Sequence, residues 1–222
     1  MMRLRRLEMR TAIGLALVMS VLLVGSPGSA QIADYWGFSD FPQTLGAGMT
    51  NVGFVGTVFA PLTNDPGSFE YTYALEGMVL DAIVPMGPAT VYEYTGGFFT
   101  IYEDAAFNAL YDDGACTLSG AGTFTDGTIY LQAEIATLTY IFNTMTNRGS
   151  YDAEMTYVAG SHLGELPINE RGGTLFGGTT NSTTTACIPD GWIHRWDGQA
   201  FTIQDPVPTD QGTWGSVKAL FQ

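Results

Sequence analysis

Over residues 128–135 the chain alternates one residue at a time. Ile129, Leu131, Ala133 and Ile135 fall on one side; Thr128, Tyr130, Gln132 and Glu134 fall on the other. A period of two belongs to a strand with one buried face, and an α-helix cannot reproduce it. Asp126-Gly127 stands directly before this run, between β-prone residues. A two-residue turn with positive φ at both positions favours that dipeptide, so a hairpin is predicted there.

Similar patterning recurs along the chain. Strands are predicted over 51–60, 69–80, 89–94, 98–103, 150–158 and 192–196, the last closed by Asp197-Gly198. Asn64-Asp65-Pro66-Gly67, Gly96-Gly97, Asn147-Arg148-Gly149 and Pro189-Asp190-Gly191 read as turns, Gly96-Gly97 as that of a hairpin. Residues 31–49 read as irregular, pinned by Trp36, Phe38 and Phe41. Residues 104–114 break the alternation and suit a short helical turn with Asp104 as its N-cap. Thr213 can cap a short C-terminal helix carrying Trp214, Val217 and Phe221 on one side. The expected fold is all-β: a single antiparallel barrel or a two-sheet sandwich built from consecutive hairpins, ending in that helix. A transmembrane barrel would need outward apolar stripes and a well-formed terminal strand, and the helical ending argues against it.

The first 30 residues stand apart. Arg3, Arg5, Arg6 and Arg10 precede an apolar run over 11–25, and Pro27-Gly28-Ser29-Ala30 ends in small residues. This is the layout of a secretory signal peptide cut after Ala30, and the run is short for a membrane span. The reading therefore divides the chain into a signal peptide, 1–30, and one all-β domain, 31–222, secreted or periplasmic. The whole chain has 8 Lys+Arg and 22 Asp+Glu. Four of the bases and one acid, Glu8, lie in the leader, which leaves 4 bases against 21 acids, a net charge of −17. Such a surface repels nucleic acid and anionic lipid.

Two cysteines in an exported chain predict a disulfide, Cys116 to Cys187. Trp192, His194 and Trp196 alternate within a predicted strand, so they are expected to share a face that offers aromatic surface to a sugar or an apolar ligand. His162 and Glu165 can pair a base with a carboxylate, but the spacing lacks the His-Glu-x-x-His form of a zinc site, and no metal is assigned. Glu103, Asp104, Asp112 and Asp113 gather acids without the spacing of a calcium loop. There is no nucleophile elbow, phosphate-binding loop or dinucleotide fingerprint, and no cofactor is expected. The function expected is non-catalytic, structural or binding of a small apolar or carbohydrate ligand. The alternative is a barrel enzyme acting on a small apolar or sugar substrate. Its acid-base group would be His194 or His162, assisted by Asp190 or Glu165.

Overall fold

In the computed structural model, which describes residues 29–181 and 187–203, eleven strands follow one another. They are β1 (Ser29–Ser39), β2 (Gly48–Val58), β3 (Glu70–Met86), β4 (Ala89–Thr95), β5 (Phe98–Asp104), β6 (Tyr111–Asp112), β7 (Thr117–Leu118), β8 (Thr128–Asn143), β9 (Arg148–Ala159), β10 (Gly172–Asn181) and β11 (His194–Ile203). Nine of them form one antiparallel sheet that closes on itself; β6 and β7 make a separate two-stranded ribbon. The predicted signal peptide lies almost wholly outside the described residues, and the predicted C-terminal helix lies wholly outside them.

Of the two architectures expected, the chain adopts the barrel. Each strand pairs with its neighbour in sequence around the ring, from β1–β2 and β2–β3 to β8–β9, β9–β10 and β10–β11, and β11 closes against β1. Between β3 and β8, one strand position is shared by β4 and β5. β3 pairs with β4 over Val79–Met86 and with β5 over Glu70–Glu76, and β8 does the same from its other side. β4 and β5 thus run end to end, so the ring has eight strand positions. The predicted hairpin at Gly96-Gly97 is instead a bend within this strand line, with φ of 71° and 90° at the two glycines. A Cβ on Gly97 would sit 2.7 Å from the backbone nitrogen of Met78, so the close approach of β3 also requires glycine there.

Asp126-Gly127 also turns the chain differently than predicted. Residues 121–124 form a 3₁₀ turn, and β8 takes β5 as its partner. The alternation in β8 holds from Leu131 to Ile135 but is offset at two bulges. Ile101 pairs with Leu131 and Tyr102 with Ile129, so Tyr130 is an extra residue; it turns inward, fully buried, and leaves Ile129 exposed. Ala136 is extra against β9, and burial resumes one position later at Leu138, Tyr140 and Phe142.

The barrel interior is filled with aromatic rings, not hollow. Tyr35, Tyr73, Tyr94, Tyr130, Tyr140, Tyr151, Tyr157, Phe99 and Trp196 are all essentially inaccessible to solvent. Each phenol needs a polar partner once buried, and finds one. Tyr151 donates to Tyr35 at 2.9 Å, Tyr73 to Asn51 Oδ1 at 2.7 Å, Tyr130 to the Thr63 carbonyl at 2.7 Å and Tyr157 to the Phe201 carbonyl at 3.1 Å. Inward-facing glycines make room for the rings. A Cβ on Gly37 would come within 2.7 Å of the Tyr73 hydroxyl, and one on Gly173 within 2.8 Å of the Tyr157 ring; Gly177 and Gly198 stand in the same relation to Tyr151.

A second, smaller core lies on the outer wall. Residues 105–127 leave the ring after β5, form the β6–β7 ribbon and return to β8. They cover Val52, Phe54, Ala74 and Tyr102 with Ala109, Leu118 and Phe124. Trp36 stacks on Phe54 at 4.8 Å, and Phe54 meets Phe124 edge-on at 5.1 Å. The excursion is pinned by Glu70, whose Oε1 accepts from the Asn108 and Ala109 amides, and by Thr72, which donates to the Phe124 carbonyl. The predicted helical turn is absent: Asp104 Oδ1 accepts from the Ala106 amide two residues on, an Asx turn in place of a helix cap. The Cys116–Cys187 disulfide, with Cα atoms 5.5 Å apart, ties the excursion to the segment that leads into β11.

Candidate functional site

Trp192, His194 and Trp196 do not share a face, because β11 begins only at His194. Trp192 follows the turn at Gly191 and packs half-buried on the outer core. Its exclusion from the strand breaks the predicted alternation. His194 and Trp196 point into the barrel, where Trp196 lies 4.0 Å from the Tyr151 ring centre. His194 is held between Phe41 and Phe142, 4.4 and 4.6 Å away, and its Nδ1 meets the Tyr140 hydroxyl at 2.9 Å. That hydroxyl also meets Thr179 Oγ1 at 2.7 Å. Burial pushes the imidazole down to about 4, so His194 is neutral at physiological pH. Asp190 is exposed in the preceding turn and makes no bond to His194 among the described residues.

His162 and Glu165 do meet. A 3₁₀ turn after β9 carries both, and Nδ1 of His162 lies 3.1 Å from Oε1 of Glu165. The Glu165 carboxylate also receives the Thr63 hydroxyl and the Thr63 amide, each at 2.7 Å. Partial burial raises this carboxyl, but the Thr63 bonds and His162 outweigh it and hold it below its ordinary value. The imidazole stacks on Tyr130 with centres 4.1 Å apart, and its Nε2 faces Glu103 at 3.8 Å. The other acids grouped in the sequence satisfy nearby chain: Asp112 accepts from the Gly114 and Ala115 amides, and Asp113 from Tyr111. Among the described residues no group of three or more His, Cys, Asp or Glu is arranged to hold a metal ion.

A third place was not anticipated. The outward faces of β9, β10 and β11 carry a groove of about 630 Å³. Strand register builds it in rows. Arg148, Thr180 and Arg195 are cross-strand neighbours in the first row; Ser150, Gly178 and Asp197 follow in the second; Phe176 and Gln199 stand in the third. Gly178 lacks a side chain between Thr180 and Phe176, and this gap is the floor. Asp34, on β1, completes the wall beside Asp197. Burial and the Asp197 carboxylate hold the Asp34 carboxyl above its ordinary value. The Arg195 guanidinium lies over the Trp36 ring of β1, its carbon 5.2 Å from the ring centre. Neither arginine forms an ion pair among the described residues.

No signature in the sequence marks this groove, because its members are spread over four strands and meet only through register. The available signal was the scarcity of positive charge: beyond residue 30 the bases are Arg148, Arg171, Arg195 and Lys218 alone, and two of the four line it. Compared with protein-family models, with curated proteins and with solved structures, the chain matches none.

Proposed function

We propose that this is an exported, non-catalytic protein that binds a small ligand in the groove on the outer wall of β9, β10 and β11. The observation that carries the reading is the pair Arg148 and Arg195, which line one concavity of a strongly acidic chain and form no ion pair among the described residues. The groove's volume falls within the roughly 300–1,000 Å³ usual for small-molecule sites. The disulfide fits an oxidising compartment. Among the described residues no helix is long and apolar enough to cross a membrane. The exposed acids Glu93, Glu134, Asp152 and Glu154 interrupt the outer wall, where a barrel in lipid carries an apolar band. This proposal moves the ligand from the Trp192, His194 and Trp196 trio, whose inner members are packed in the core, to the groove.

The test is a ligand screen read by tryptophan fluorescence, since Trp36 lies behind Arg195. Gly178→Leu fills the floor and is expected to weaken any hit at least tenfold, while Trp192→Ala leaves it unchanged. A hit indifferent to Gly178→Leu places the site elsewhere.

A second reading, an enzyme using the His162 and Glu165 pair, is favoured by their 3.1 Å contact. It requires turnover of a sugar or apolar substrate that His162→Ala abolishes with the fold intact.

A further inference from the structure

We infer that the groove ligand is an acidic saccharide: a uronic acid unit that sets its single carboxylate between Arg148 and Arg195 and rests its ring against Phe176. The inference rests on the groove reading above and adds the chemistry of the ligand. The first argument is charge. Arg148 and Arg195 flank Thr180 on neighbouring strands, two strand spacings or roughly 10 Å apart at the backbone. The Arg195 guanidinium rests on the Trp36 ring of β1 and would swing back across β11 to meet Arg148 over Thr180, where forked donors match a carboxylate. Acids outnumber bases by 21 to 4 beyond residue 30, yet none pairs with either arginine among the described residues.

The second argument limits the anion to one charge. Asp34 and Asp197 line the same groove. They offset the two arginines, so the lining carries no net charge, and they repel a phosphate or sulfate dianion more strongly than a monoanionic carboxylate. The third argument concerns the remainder of the ligand. Beyond the arginine row stand Ser150, Asp197 and Gln199, all able to bond hydroxyl groups, and Thr180 adds one more hydroxyl. Phe176 follows on the same strand, 58% exposed, a large apolar ring left in water at the end of a polar groove. A pyranose ring has an apolar face of C–H groups and an edge of hydroxyls, which suits that pairing. A fatty acid would leave the hydroxyl-bonding row unused, and a neutral sugar would leave the arginines unused.

The experiment is titration of the full mature protein with short oligomers of galacturonate, glucuronate and mannuronate, with maltotriose as neutral control and inorganic phosphate as competitor. At least one uronate oligomer is expected to bind, at least tenfold tighter than maltotriose, and to weaken as salt rises. Arg148→Gln with Arg195→Gln is expected to lose at least tenfold for the uronate. Gly178→Leu is expected to abolish binding with an unchanged melting curve, because a Cβ at Gly178 meets only the Gly149 carbonyl at 3.7 Å. Uronate binding that survives the double arginine substitution overturns the inference, as does phosphate competing as well as free galacturonate. If no uronate binds, or maltotriose binds as tightly and is lost in Gly178→Leu, the acidic class fails while the groove reading is judged by the ligand screen. If no screen compound is sensitive to Gly178→Leu, both fail.

Discussion

Adjacent glycines in β10 face opposite ways, and their substitutions should separate packing from binding. Gly177 looks inward onto the Tyr151 hydroxyl and ring and onto the Asp197 carbonyl, so a methyl there has no space. Gly177→Ala is expected to lower the unfolding free energy by about 1–3 kcal/mol in urea titrations, whereas Gly178→Leu, facing the groove, should shift it by less than about 0.5 kcal/mol. Equal destabilisation by both would contradict the assigned facing of β10. His194 carries the pH dependence. Its folded value, about 4, is below the ordinary 6.5, so folding favours the neutral ring. The stability it supplies is complete above pH 6.5 and is lost as pH falls toward 4, about 3 kcal/mol in all. Acid unfolding by circular dichroism should therefore be steeper over that interval in the wild type than in His194→Gln, which keeps a partner for Tyr140 and cannot charge. Identical slopes would mean that His194 titrates freely. His194 stood out in the sequence as one of two histidines; its direction did not, because that depends on where β11 begins.

At the scale of elements, the local pattern was legible and the partners were not. The alternation of β3 around Tyr71, Tyr73 and Leu75 holds as predicted, but after Gly77, with φ of 76°, the buried positions shift to Met78 and Leu80 and leave Val79 exposed. Residues 31–49, read as irregular, contain most of β1, whose glycine and polar residues hide the period of two; Gly37 and Ser39 are buried. Double glycine at 96–97 and Asp-Gly at 126–127 are strong hairpin signals by propensity. Both are overruled by long-range pairing, since β5 joins β3 and β8. Gly198, predicted to end a strand, sits inside β11 beneath Tyr151. The disulfide was legible from the count of two cysteines alone. Its loop of 71 residues implies about 4 kcal/mol on the chain-entropy account. Cys116→Ser with Cys187→Ser is expected to lower stability by up to that amount. Hydrogen exchange should rise first in residues 105–127, whose amides depend on Glu70 and the ribbon. Uniform exchange across β8 and β9 would show instead that the barrel needs the bond to close.

For the molecule as a whole, closure of the ring decides where function can reside. The eight strand positions of the ring have every edge paired and so offer none to another chain; among the described strands only the short β6–β7 ribbon lies outside it. The rings of seven tyrosines occupy the interior, which is why the proposed ligand site is on the outer wall. The excursion over residues 105–127 covers the wall near β1, β2, β3 and β5, while the groove opens on the wall of β9, β10 and β11. One further consequence lies in the row formed by Tyr151, Gly177 and Gly198 across β9, β10 and β11. A single phenol there touches positions on two other strands where only hydrogen fits. Sliding β10 by two residues, which keeps every side chain on its own face, would bring Leu175 or Thr179 beneath that ring. Tyr151 therefore acts as a key cut for one alignment of three strands, and it rejects the shifted pairings that backbone hydrogen bonding and hydrophobic pattern alone would accept.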